Sequence, residues 1–159
     1  MRDDGDFTAY AEARWPALVR TLVLLGRPLG EAVEVAERTL ARCRLEWRVI
    51  GESVDVDVEV YTELLDQAAR AGDEAGPRTD APPPDRGEPS GAEPLLAALC
   101  EALGRLDAAG RRAVVLRHGA GLSPVQVAEV LHADPAEVEG RLAAAAVTLD
   151  APSLVQQCR

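Results

Sequence analysis

The sequence predicts an all-α protein of two small helical domains joined by a flexible linker, and three observations carry that expectation. Hydrophobic residues make up 47% of the 159-residue chain but aromatics only 3%, so the cores must be built from Leu, Val and Ala. Those residues suit helices better than sheets. Residues 72–91 read GDEAGPRTDAPPPDRGEPSG, rich in Pro, Gly and charge, and have almost nothing apolar to bury. That composition is a linker's. It leaves domains at 1–71 and 92–159, and neither can hold a large core. On both sides of the linker, apolar residues recur at helical spacing.

In the first domain Phe7, Ala11, Leu18, Leu22 and Leu25 mark a helix that should stop at Gly26-Arg27-Pro28-Leu29-Gly30. Pro16 lies inside that pattern and predicts a kink or a break. A second helix is expected over 31–47, burying Ala32, Val33, Ala36, Leu40, Cys43 and Trp47. A third is expected over 56–71, burying Val58, Tyr61, Leu65 and Ala68. Three helices with short connections make an antiparallel bundle.

In the second domain Leu95, Leu96, Leu99, Leu103 and Leu106 mark a fourth helix, and 111–118 a fifth, with Ala113, Val114 and Leu116 inward. After a break at 119–122, Ser123 opens a new helix with Gln126 three residues on, the pattern of a capping box. Asp134 and Glu137 repeat that spacing before a last helix running to Leu149. Between the two capped helices His132 sits at a tight corner, a position that wants positive φ and that histidine enters more readily than most residues. Ala128 is small enough for close helix approach, and Val127, Val130, Leu131, Val138 and Leu142 supply the apolar contacts of a helix-turn-helix.

Charge and chemistry exclude several function classes. The net charge is −10 with no lysine, and no segment is basic: 14 acidic against 9 basic residues before the linker, 8 against 6 after it. A chain of this balance has little counterion release to offer phosphates. Cys43, Cys100 and Cys158 are far apart and lack metal-ligand spacing, so neither zinc nor a disulfide framework is expected. No glycine-rich phosphate loop and no nucleophile motif is present, and the histidines are His118 and His132, which argues against an enzyme, a cofactor or a small-molecule substrate. The longest early apolar run, 22–25, is too short for a signal core or a membrane span, so a cytoplasmic protein without membrane contact is expected.

The stretch AALCEALGRLDAAGRRAVVLRHGAGLSPVQVAEVLHADPAEVEGRLAAAAVTL resembles region four of the small, extracytoplasmic-function type of sigma-70 factors of RNA polymerase. FTAYAEARWPALVRTLVLLGRPLGEAVEVAERTLARCRLEW is similar to the first two helices of their region two. The resemblance implies a transcription initiation factor with two partners, core RNA polymerase at its clamp and flap and promoter DNA, with an anti-sigma regulator as a third. It places polymerase contacts at Glu34, Glu37, Arg38 and Arg42. DNA contacts fall at Arg117, Ser123, Pro135, Ala136, Glu137, Glu139, Gly140 and Arg141.

Two stretches depart from the family pattern. Where the family carries a sequence resembling TVKSRLSRAL, this chain has EVEGRLAAAA, so basic and hydroxyl positions become Glu137, Glu139, Gly140 and Ala144, and Arg141 alone is kept. Carboxylates repel phosphates and suit few base edges. Beyond Trp47, where unpaired bases would need stacking and positive charge, the candidates are Arg48, Tyr61 and Arg70 among six carboxylates. Arg38, Arg42, Arg44 and Arg48 admit two accounts, contacts to polymerase or phosphate, or a solvated face pairing with Glu34, Glu37 and Glu46. Two functions therefore stand: a promoter-contacting initiation factor, or a sigma-like module that binds polymerase or a regulator without reading DNA.

Overall fold

The computed structural model describes residues 4–74 and 93–149. Among them the chain is all helix and loop: α1 (Asp4–Leu24), α2 (Leu29–Leu45), α3 (Trp47–Ile50), α4 (Val56–Glu74), α5 (Glu93–Gly104), α6 (Ala108–Val114), α7 (Pro124–Leu131) and α8 (Pro135–Leu149), with a π-helical turn (Val115–Gly119) extending α6. The all-α expectation holds. No helix among the described residues is long and apolar enough to cross a membrane.

The expected break at Pro16 does not occur, and α1 runs through it. Pro16 and Glu12, whose carbonyl loses its partner, both lie on the exposed side, where water can replace the missing bond. At the other end Gly26, with φ 97°, turns the chain, and its neighbour Arg27 donates back to the Leu22 carbonyl at 3.1 Å. That left-handed geometry is why a glycine stands there.

α2 starts at Leu29, directly after Pro28, and ends at Leu45. Its buried stripe is Ala32, Val35, Ala36, Thr39 and Cys43. Val35 and Thr39 thus replace Val33 and Leu40, which are half-buried. Thr39 can be buried because its hydroxyl donates to the Val35 carbonyl at 2.8 Å within its own helix. Trp47 belongs to the short α3, turned by the break at Glu46, and packs edge-on to Phe7 at 5.2 Å between ring centroids and against Tyr10 at 5.3 Å. Tyr10 donates to Asp57 Oδ1 at 2.7 Å and Arg14 to Asp57 Oδ2 at 2.6 Å, which ties α1 to the first turn of α4. Burial, followed by the Asp57 hydrogen bond, keeps the Tyr10 phenol un-ionised far above its usual range.

In α4 the buried residues are Val60, Tyr61, Leu64, Ala68 and Ala71. Val58 and Leu65 are half-buried, a shift of one step around the helix from the expected stripe. The helix passes the expected linker boundary at Gly72 and reaches Glu74, because Ala71 is still packed and Arg27 reaches across to the Ala68 carbonyl. The rest of the expected linker, 75–91, lies outside the described residues.

α6 begins earlier than expected because Asp107 caps it, accepting from the Gly110 N–H at 2.7 Å. A Cβ on Gly110 would lie 2.6 Å from that carboxylate oxygen, so a larger residue there would shift the Asp107 side chain. Core residues from both sides of 75–92 form one continuous cluster, with Leu18, Leu22, Val60 and Tyr61 joined to Leu116, Leu122, Val127 and Val138. Leu24, Leu103 and Val115 make a smaller second cluster.

Candidate nucleic-acid and polymerase interface

The expected helix-turn-helix is present and built by the expected residues. Ser123 Oγ accepts from the Gln126 N–H at 3.2 Å, while Gln126 Oε1 accepts from the Ser123 N–H at 2.8 Å, which completes the capping box with Pro124 in the first turn. At the corner His132 adopts φ 50° and ψ 42°, and the Ala133 N–H closes the turn on the Ala128 carbonyl at 2.9 Å. Val127, Ala128, Val130 and Val138 are buried between α7 and α8, with Leu131 and Leu142 packed against them.

The second expected capping box forms by half. Asp134 Oδ1 accepts from the Ala136 N–H at 2.8 Å, but Glu137 turns away to pair with Arg141 at 2.6 Å. An arginine one turn on offers a charge-assisted partner that outcompetes an uncharged amide.

That pairing determines the electrostatics of α8. Pro135, Ala136, Glu137, Glu139 and Gly140 are exposed, opposite buried Val138 and Ala145. Arg141, whose side chain is 32% exposed, lines a groove with Arg105, Leu106, Asp107, Gly110, Ala144, Ala145 and Thr148. The outward face therefore offers Glu139, small residues and Val147, with its single cation neutralised by Glu137.

Arg117 and Ser123 lie elsewhere. Arg117 is half-buried in the π-helical turn and donates to the Leu122 carbonyl at 3.2 Å, shaping the approach to Ser123. Ser123 lines a crevice of about 520 Å³ between α7 and the start of α4, with Ser53, Val54, Asp55, Val58, Glu59, Val125, Gln126 and Glu129. The eight proposed DNA residues are thus not one patch: the start of α8 is outward, Arg141 faces a groove beside α6, and Ser123 faces α4.

On α2 the four residues expected to meet polymerase, Glu34, Glu37, Arg38 and Arg42, are all exposed, opposite the buried stripe. Arg42 pairs with Glu46 at 2.8 Å, the i,i+4 pairing of a solvated face. Beside them Leu45 and Val49 are 81% and 70% exposed, an apolar component that the sequence reading passed over. The available signal was their position off the stripe that includes Ala36, Thr39 and Cys43.

Tyr61, a candidate for stacking on unpaired bases, is fully buried and cannot stack on anything outside the core. Arg48 and Arg70 are exposed. Cys43 is buried, and desolvation, followed by nearby Glu63 and Glu46, pushes its thiol up to about 12. Among the described residues no group of His, Cys, Asp and Glu is placed to hold a metal.

No protein-family model and no curated protein matches the sequence. The fold does match solved structures. CnrH in complex with the cytosolic domain of CnrY is 22% identical, with a TM-score of 0.71 over 94% of this chain and 88% of that one. The sigma factor RpoE in complex with the anti-sigma factor NepR from Bartonella quintana is 19% identical, with a TM-score of 0.69 over 91% of this chain and 94% of that one. The class defined by the fold is a two-part, all-helical protein carrying a helix-turn-helix. More particularly, its fold is that of the extracytoplasmic-function sigma factors.

Proposed function

We propose that this chain is a sigma-70-like transcription initiation factor of the extracytoplasmic-function type, a cytoplasmic protein that acts through core RNA polymerase. The observation that carries this reading is the sigma fold with a complete helix-turn-helix, down to the capping box at Ser123 and the left-handed corner at His132. Glu34, Glu37, Arg38 and Arg42 would meet the polymerase clamp, with exposed Leu45 and Val49 as the apolar part of that contact. Interfaces draw their energy from such apolar anchors more than from rim charges. The C-terminal half would meet the flap and bring the start of α8, Pro135 to Arg141, to promoter DNA. Both solved neighbours are bound to another protein, and a regulator of the anti-sigma kind is the third partner proposed.

A second reading is favoured by one observation, the Glu137–Arg141 pair on a recognition helix that also exposes Glu139. On that reading the chain binds polymerase or a regulator without reading DNA. Poor intrinsic affinity does not remove the first reading, since tethering on polymerase raises the effective concentration of a weak reader. Mixing the purified chain with core polymerase and genomic fragments separates the two. Co-elution with run-off transcripts is the outcome expected of an initiation factor. A stable complex that yields no transcripts supports the binding-only module, and no complex at all would sink the initiation factor and leave the second reading only a regulator as partner.

A further inference from the structure

Where α4 meets α6 and α7, beside the apolar core that both halves of the chain share, the surface opens into a cleft of about 360 Å³. Sites for small ligands are commonly of this size. Its apolar part is Leu25, Leu65, Val130 and Leu131, all buried or half-buried, and with them stand Arg27, Arg111, Arg112 and His132 against the one carboxylate of Asp66. That balance reverses the chain's own, whose net charge is −10. Arg27 is committed to the fold, since its Nη2 donates to the Ala68 carbonyl and its Nη1 lies 3.6 Å from Glu31 Oε2. Arg111 is committed only in part. Its Nε donates to the Leu103 carbonyl at 3.0 Å and its Nη2 to the Gly104 carbonyl at 3.4 Å, which fixes the guanidinium with Nη1 beside the Gly26 turn, 3.7 Å from where a Cβ on that glycine would stand. Arg112 is exposed, and among the described residues neither it nor Arg111 pairs with a carboxylate.

We propose that this cleft binds a small organic diphosphate, its phosphates held by Arg111 and Arg112 and its organic body laid on Leu65, Val130 and Leu131. Guanidinium forks match phosphate oxygens in geometry as well as charge, and two arginines without carboxylate partners suit a ligand with two adjacent anionic groups. Arg27 adds a fixed positive charge behind them. His132 brings a further hydrogen-bond donor to the exposed rim, where Asp66 is the opposing charge. The aliphatic side chains favour a ligand with an apolar or aromatic part over a bare inorganic anion. None of these cations belongs to α8, so the assignment goes beyond the proposed role in transcription and does not depend on it.

The test uses the full chain, three variants and four probes: ADP, inorganic pyrophosphate, adenosine and a short DNA duplex. Arg112→Glu reverses a charge that no contact within the fold requires. Ala69→Leu narrows the cleft from the exposed side of α4 without altering charge, and leucine is a good helix former. Arg105→Glu makes the same charge change outside the cleft and serves as the control. Calorimetric titration reads affinity, and amide chemical shifts read place. ADP should bind and shift amides in 65–69, 108–112 and 130–132, on the order of tenfold tighter than pyrophosphate, the gain that burying roughly 60 Å² of apolar surface gives. Adenosine should not bind. Arg112→Glu and Ala69→Leu should each weaken ADP by at least about tenfold, as expected for losing a charge-assisted contact or the space for the ligand, while Arg105→Glu stays near the parent. No binding of ADP at millimolar concentration would overturn the site, as would affinity that survives both cleft variants or falls equally in the control. Pyrophosphate binding as tightly as ADP would overturn the organic ligand. If the duplex alone binds, and Arg112→Glu weakens it, the cleft meets a nucleic-acid backbone and the small-ligand assignment falls.

Discussion

The outer faces of α2 and α8 occupy comparable roles in the fold, each the exposed side of a helix whose other side is core, yet they are chemically opposed. α2 presents both signs of charge, Glu34 and Glu37 with Arg38 and Arg42, and its last residue, Leu45, stands with Val49 of α3 as exposed apolar side chains. α8 presents Glu137, Glu139 and small residues, and its one cation is bound within the helix. A mixed, partly apolar face suits a protein partner, whereas phosphate demands unpaired positive charge. The comparison teaches that keeping the framework of a DNA reader is separate from keeping its surface. The capping box, the small Ala128 and the left-handed His132 maintain the framework at α7 and α8, and none of them depends on the charge of the outward face.

The largest effect should come from undermining one face through its support. Trp47 is buried beneath the end of α2, against Phe7 and Tyr10, and Trp47→Ala should cost about 3–5 kcal/mol. Chemical denaturation would measure that loss. Binding to core polymerase should fall with it, whereas the equivalent truncation under α8 would leave the α2 face intact. A smaller change should convert one face toward the other. Glu137→Lys with Glu139→Lys frees Arg141 and adds two cations, so duplex affinity at low salt should rise about tenfold and the salt dependence steepen by about one to two phosphates. Retardation assays across a salt series would read both. If affinity stays flat, the α8 face is not where DNA lies, and the α2 comparison loses its meaning.

The smallest effect sharpens the contrast through pH. Tyr10 and Tyr61 both lie in the N-terminal half, and burial raises both phenols above the usual value of 10.0. The folded chain therefore keeps these protons where the unfolded chain has lost them. Stability is full below about pH 10 and falls as pH rises beyond it. Tyr10→Phe should cost about 1 kcal/mol at neutral pH by leaving Asp57 with one donor fewer. The same variant should lose less stability between pH 10 and 12 than its parent. Denaturant midpoints at neutral and alkaline pH would check the sign.

How much was legible in the sequence follows from how local the cause is. Capping at Ser123, the turn at Gly26 and the corner at His132 depend on a few neighbouring residues, and each could be read directly. The apolar contacts of the helix-turn-helix were equally plain. What escaped depends on partners distant in sequence. Whether Val33 or Val35 faces inward is decided by where α1 and α4 lie, and the helical period alone leaves neighbouring stripes nearly degenerate. The choice of Glu137 between a cap and Arg141 is a competition between two local options, which spacing cannot rank. Pro16 was legible as a residue but not as a position, since the cost of proline depends on which side of the helix meets water. For the candidate site, the charge of α8 was readable, while the sequestering of Ser123 against Asp55 was not, because those residues are far apart along the chain.

Every aromatic ring in the chain, Phe7, Tyr10, Trp15, Trp47 and Tyr61, belongs to α1, α3 or α4. Tryptophan emission and near-ultraviolet dichroism consequently watch one half of the molecule. Melting of the helix-turn-helix would reach either probe only at second hand, through the core it shares with Tyr61, and a single clean optical transition is no proof that the whole chain unfolded together. Far-ultraviolet dichroism is the signal in which α7 and α8 have a voice.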